Sequence, residues 1–146
     1  MVDVTEKQLT RRRAEARGRV VGVGDLSAPP GRASAILTTA RAAGLLGAKR
    51  TSALIPLCHP LPLTSLDVEF ALVDDAVEIY AVAETLGQTG VEMEALAGCI
   101  FAALSIVHEL GAAAPSAVIK DVAVWEKSGG RSGHWLRHAR DDVGVI

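Results

Sequence analysis

Apolar residues recur along this chain at two spacings, and the order of those spacings predicts the fold. Over residues 63–72, Leu66, Val68, Phe70 and Leu72 fall on one side, with Ser65, Asp67, Glu69 and Ala71 on the other. That is the period of a half-buried strand. Asp74-Asp75 reads as a hairpin turn, and residues 77–86 return as the paired strand. Residues 17–23, with Val20, Val21 and Val23, read as an earlier strand, and residues 118–127 as the last. Two helical patterns lie between them. Over 32–49, Ile36, Leu37, Ala40, Ala43, Gly44 and Gly47 recur at three- and four-residue intervals, leaving a face of small residues that a helix or backbone can approach closely. Residues 91–110 are apolar nearly all round, which predicts a helix buried on most sides and stopped by Gly111.

The order strand, helix, strand, strand, helix, strand predicts an α+β fold of the ferredoxin-like βαββαβ type, with a four-stranded antiparallel sheet. A break rich in Asp, Ser, Pro and Gly over 25–31 separates the first strand from the first helix. No repeat or long linker divides the chain, so 1–146 is read as one domain. After Ser128 the sequence is Gly-rich and then charged, and its end is expected to be mobile.

Composition adds one expectation about assembly. Hydrophobic residues make up 49% of the chain but aromatics only 3%, so the core is built from Ala, Val and Leu. Small side chains gain less per residue on burial. Extra burial in a homo-oligomer is the expected remedy. A net charge of −2 gives no general attraction to nucleic acid or anionic membrane, and neither is expected as a partner. No signal-peptide pattern and no stretch approaching a membrane span are read in the sequence. Two cysteines, Cys58 and Cys99, fit a reducing cytoplasm. Cys99 falls on an apolar helix face and reads as packing. No CxxC or paired-histidine spacing points to a metal, and no cofactor is expected. Arg11, Arg12, Arg13, Arg17 and Arg19 are interleaved with Ala and Gly, which fits either a solvated edge or an anion site.

Candidate chemistry gathers in three places. In the run from Lys49 to Pro60, a basic pair closes the first helix, where cations are favoured by its dipole, and a Cys-His-Pro turn follows. Pro60 and Pro62, just after it, stiffen the turn and fix the direction of His59. Its imidazole can bind phosphate or carry protons, or simply be satisfied by backbone. Thr89-Gly90-Val91-Glu92 has the form of a capping box, with Glu92 turned back on the helix start. Glu94 lies two residues on, about 200° around a regular helix, so the two carboxylates are not expected in one pocket. Lys127-Ser128-Gly129-Gly130-Arg131-Ser132-Gly133 leaves the last strand as a basic glycine-rich loop. Such a loop can converge backbone N–H groups, a lysine and an arginine fork on an anion, or serve as a flexible linker with ordinary charge.

These motifs, with the opening Met1-Val2-Asp3-Val4, resemble the molybdenum cofactor biosynthesis protein C (MoaC) family, the cyclic pyranopterin monophosphate synthases, over nearly the whole chain. The resemblance implies a ferredoxin-like fold and a dimer-based hexamer. It implies a substrate-binding set of Lys49, Leu57, Cys58, His59, Met93, Glu94, Lys127, Arg131 and Arg12. It also implies that Glu92 and Glu94 line the site. The substrate it implies is a phosphorylated cyclic purine nucleotide, rearranged to a pyranopterin with a cyclic phosphate and loss of diphosphate.

Two family patterns are altered. The Lys-Gly-Asp before the first helix falls on Ala33-Ser34-Ala35, and an Asp and a Lys at the end of the second long helix fall on His108 and Gly111. The reaction needs several proton transfers, and alanine and glycine can perform none. The sequence therefore predicts a divergent member that binds the nucleotide and catalyses a related rearrangement or cyclisation, with His108, Glu94 and Glu92 as candidate catalysts. A genuine synthase with relocated acid/base groups, or a non-catalytic binding or assembly subunit, are the alternatives.

Overall fold

The computed structural model describes residues 1–26 and 29–138. The charged end of the tail, expected to be mobile, lies outside the described residues. The elements run β1 (Thr10–Val21), α1 (Arg32–Lys49), α2 (Thr51–Leu54), β2 (Leu63–Val73), β3 (Ala76–Gly87), α3 (Glu92–Leu110), β4 (Val118–Ser128) and β5 (His134–Leu136), with a short 3₁₀ turn at Gly111–Ala113. The strands form one antiparallel sheet in the order β2-β3-β1-β4-β5. The first four follow the ferredoxin-like arrangement. The fifth is a three-residue strand that pairs with the end of β4, in the segment expected to be a loop.

The first strand also begins seven residues earlier than its valines suggest. Ala14, Ala16, Gly18 and Val20 face the core, and Arg13, Glu15, Arg17 and Arg19 face away. Alternation is present throughout, but alanine and glycine on the buried side make it faint as a hydrophobic signal.

α1 and α3 cross the same face of the sheet. Small residues bring them close, as the sequence implies. A methyl added at Gly44 would lie 2.7 Å from the Gly98 carbonyl and 3.2 Å from Ala102 Cβ, and one at Gly47 would lie 2.7 Å from Phe101 Cβ. α3 meets the sheet equally closely: a methyl at Gly18 would lie 3.0 Å from Cys99 Sγ. The largest fully buried side chains are Ile79, Ile106 and a set of valines, with no aromatic ring among them. α3 is buried on most sides, as its apolar composition predicts, and keeps one narrow exposed stripe. Ala95, Cys99, Ala102 and Ile106 are buried, whereas Ile100 and Leu104 are exposed at 39% and 48%. Contrary to the sequence expectation, Glu92–Ala113 is long and apolar enough to cross a membrane by length and composition. Here its buried side supplies the core against the sheet.

Among the described residues, the other face of the sheet carries no helix. Arg11 and Arg13 pair with Glu84, Arg13 also with Glu126, and Arg19 with Asp121. Arg17 pairs with Glu15 and lies between the rings of Tyr80 and Trp125, 5.3 and 4.8 Å from their centroids. Four arginines of the basic cluster thus belong to a solvated, charge-paired face. Arg12 has the opposite parity and turns toward the end of the sheet where α3 begins.

Candidate active site

Two adjoining recesses open at that end. The larger, about 680 Å³, is lined by the N-terminal segment at Lys7 and Gln8, by Thr10 and Arg12 of β1, by Gln88 to Gly90, and by the β4–β5 turn from Lys127 to Gly133. The smaller, about 370 Å³, is lined by Cys58, His59, Leu61, Met93, Glu94 and residues shared with the first. The shared wall is Thr89, Gly90, Glu92 and Lys127.

Each wall has a local cause. Gln88 Nε2 donates to the Lys7 carbonyl at 2.9 Å and holds the N-terminal segment across the recess. Arg12 donates from Nε and Nη2 to the carbonyls of Gly87 and Gln88, each at 3.4 Å. Neither Arg12 nor Arg131 forms an ion pair among the described residues. Thr10 Oγ1 is buried without a hydrogen-bond partner there. The sequence offered no signal for Thr10, because its strand was expected to begin only at Arg17. On the other side, the chain leaves α2 through Leu57, which has a left-handed backbone (φ 66°) and is 74% exposed, and then delivers Cys58 and His59 to the smaller recess.

The capping box does not form. α3 begins at Glu92 with Val91 as its cap and no side-chain capping bond. Glu92 is therefore the first helical residue, not the third. Its carboxylate folds over Gly90 and accepts a hydrogen bond from Lys127 Nζ at 3.0 Å. This also brings Glu92 and Glu94 to one recess, against the expectation from regular helix geometry. A first-turn side chain can swing back past the helix end, where no preceding turn blocks it. Glu94 is only 3% exposed. Burial raises its pKa, its own backbone N–H lowers it in part, and the neighbouring Glu92 charge raises it further. The same environment raises the Cys58 thiol, through burial first and the Glu94 charge second.

Of the residues singled out in the sequence, Arg12, Lys127, Arg131, Cys58, His59, Met93, Glu92 and Glu94 line these recesses. Lys49, Leu57 and His108 do not. Lys49 is exposed at the end of α1. His108 is exposed in the last turn of α3, roughly 21 Å along the helix from Glu94. Within one chain, His108 and Glu94 are too far apart to act on one bond. α1 and α3 run antiparallel, with Ala48 against Gly98 and Gly44 against Ala102. Ala33, Ser34, Ala35, His108 and Gly111 therefore lie together at the opposite end of the helical layer, where Ala33 lines a separate hollow with Asp25, Asp74 and Asp75. No group of three or more His, Cys, Asp or Glu side chains placed to hold a metal occurs among the described residues.

The model of the MoaC family matches residues 1–130, which includes every wall of both recesses except Arg131 to Gly133. The chain belongs to the MoaC family. It is 49% identical over 149 residues to a Streptomyces griseus protein, covering 95% of this chain and 81% of that one. It is 47% identical over 146 residues to one from Heliobacterium modesticaldum, covering 94% and 90%. Both are named cyclic pyranopterin monophosphate synthase. A Mycobacterium tuberculosis protein named cyclic pyranopterin monophosphate synthase 2 is 45% identical over 146 residues, covering 94% of this chain and 84% of its own. Membership connects this MoaC family chain to molybdenum cofactor biosynthesis.

Proposed function

We propose that this chain is a working cyclic pyranopterin monophosphate synthase with relocated acid/base groups. Its likeness to proteins of that name favours this reading over a divergent reaction. The substrate is 3′,8-cyclo-7,8-dihydro-GTP, and the products are the pyranopterin cyclic phosphate and diphosphate. The observation that carries the proposal is Lys127, a cation on the wall between a basic recess and an acidic one. The triphosphate lies in the larger recess against Arg12, Lys127 and Arg131. The guanidinium groups supply forked donors, and the lysine supplies a point charge. The base lies in the smaller recess against Cys58, His59, Met93 and Glu94.

Proton transfer falls to residues present there. Glu94 keeps its proton to higher pH than an ordinary carboxylate, which suits a donor. Glu92, which accepts a hydrogen bond from Lys127 on the shared wall, is the candidate acceptor. His59 can act in either sense.

A homo-oligomer, a dimer-based hexamer, is part of this proposal. Support comes from apolar side chains left exposed on the helices: Leu46, Leu54, Ile100 and Leu104. A second copy is also the route by which Lys49, Leu57 or His108 would reach a site that its own chain does not bring it to. The reaction is placed in the cytoplasm, with no nucleic acid or membrane partner.

A second reading, ligand binding with altered or no catalysis, is favoured by one observation. Ala33, Ala35 and Gly111 carry no titratable group where the family pattern has Lys, Asp and Lys. Complementation of a bacterial strain lacking the synthase separates the two. Restored molybdoenzyme activity supports the proposal. No restoration, with folded protein present at normal levels, supports the second reading.

A further inference from the structure

The β4–β5 turn contains three glycines with left-handed backbone, and they differ in what lies beside them. Gly129 has φ 102°, Gly130 φ 68° and Gly133 φ 63°. The turn is closed by Gly129 N donating to Gly133 O at 3.0 Å and Gly133 N donating to Gly130 O at 3.3 Å. A methyl at Gly129 would overlap the Arg11 carbonyl, which belongs to strand β1. A methyl at Gly133 would meet nothing within 4 Å. A methyl at Gly130 would overlap Nη1, Cζ and Nη2 of Arg12.

The three environments imply three different roles. At Gly129 the obstacle is backbone, so a side chain there opposes strand packing. At Gly133 only the left-handed conformation asks for glycine. At Gly130 the obstacle is the far end of a long side chain, which can move. The carbonyls of Gly87 and Gln88 hold one flank of the Arg12 guanidinium, through hydrogen bonds at 3.4 Å that are long for such contacts. Gly130 forms the other flank. Weak bonds on one side leave the orientation dependent on the space on the other.

We infer that Gly130 is a positioning residue for Arg12: its missing side chain leaves the space that the guanidinium occupies, so the β4–β5 turn aims Arg12 into the larger recess. The link to phosphate binding rests on the function proposed above; the link between the two residues does not. It gives the second glycine of the Ser-Gly-Gly-Arg run a task distinct from that of its neighbours.

The test compares Gly130→Ala with Gly133→Ala, which carry the same left-handed backbone penalty, in the full chain. The side-chain Nε–H resonance of Arg12, identified by its loss in Arg12→Ala, reports orientation directly. Affinity for inorganic tripolyphosphate, measured by calorimetry, reports consequence. Gly130→Ala should shift the resonance and weaken tripolyphosphate about tenfold, while Gly133→Ala changes neither. In the Arg12→Ala background, Gly130→Ala should cause no further loss of affinity. If Gly130→Ala alone does not fold, the pair Arg12→Ala/Gly130→Ala should still melt with Arg12→Ala/Gly133→Ala. An unmoved Arg12 resonance, equal shifts in both glycine variants, or a double variant that also fails to fold would each overturn the inference. A resonance that responds only to Gly130→Ala in a protein that does not bind tripolyphosphate would uphold the positioning role and remove the phosphate site.

Discussion

Lys127 and Glu92 meet at 3.0 Å, joining the end of β4 to the first residue of α3 on the wall between the two recesses. The contact lies where a strand end and a helix start converge, and it replaces the helix cap that the local sequence suggests. Both side chains keep about a third of their surface exposed, at 36% and 29%. An ion pair so exposed contributes little to folding, typically below about 1 kcal/mol. On the proposed function, a phosphate ligand competes with Glu92 for the ammonium.

Lys127→Ala should therefore separate binding from stability. Tripolyphosphate affinity should fall by about 1–3 kcal/mol if the charged contact is desolvated. The thermal midpoint should move by no more than a few degrees. Calorimetry and a melt on the same preparation check both. A large loss of stability with unchanged affinity would make Lys127 a structural residue.

Glu94 gives a pH dependence with a defined sign. Its folded pKa lies above the ordinary value of 4.5, because burial disfavours the charged form. The folded state then holds more protons than the unfolded chain between the two values, so stability declines as pH rises through that window. At pH 8 the wild type carries the cost of a buried charge. Glu94→Gln should be more stable than wild type at pH 8 and no more stable at pH 4, while its turnover should drop about 10²–10⁴-fold if Glu94 transfers a proton. Denaturant unfolding at the two pH values tests the first half, and rate measurements test the second.

The two thiols should differ in reactivity. Cys99 is fully buried against the sheet, and its pKa is pushed up to about 12 by desolvation. Cys58 is partly exposed on the smaller recess, with a thiol raised by burial and by the Glu94 charge. Native protein should release one equivalent with a disulfide reagent at pH 8, slowly, and the second only on unfolding. Ligand in the smaller recess should slow the first. Rapid reaction of both would contradict the packing of α3 on β1.

Gly44→Ala tests the helix crossing. The added methyl would lie 2.7 Å from a backbone carbonyl on α3, which cannot rotate aside. Overpacking of this kind costs about 1–3 kcal/mol, more than the gain in helix propensity from replacing a glycine, which is about 1 kcal/mol. A stabilised variant in denaturant unfolding would show that the crossing is looser than described.

Much of this architecture is legible in the chain itself. α1 spans the predicted residues, α3 and the β2–β3 hairpin fall within a residue or so, and the glycine spacing of α1 does mark a close approach. What the sequence hides has physical reasons. β1 buries alanine and glycine, so its first half looks like a run of charge. β5 is three residues long and takes its pairing from β4. The capping-box pattern fits Thr89 to Glu92, but packing starts the helix at Glu92 and frees that carboxylate for Lys127. At the site, Arg12 shows from its parity with Ala14 which of five arginines turns inward, whereas Thr10 and Gln88 carry no pattern at all. His108 and Glu94 lie on one helix, and only its length shows that they serve different ends of the molecule.

On the proposed function this chain performs the synthase reaction with Ala33 and Gly111 in place. The direct measurement is incubation of purified wild-type protein with 3′,8-cyclo-7,8-dihydro-GTP, with quantitation of diphosphate and the cyclic phosphate product. Both products should form in equal amounts, at a rate comparable to an intact relative, and both should be lost in Lys127→Ala and Glu94→Gln. Retained tripolyphosphate binding with no product from the wild-type chain would contradict the proposed function and leave a nucleotide-binding protein whose chemistry went with those two side chains.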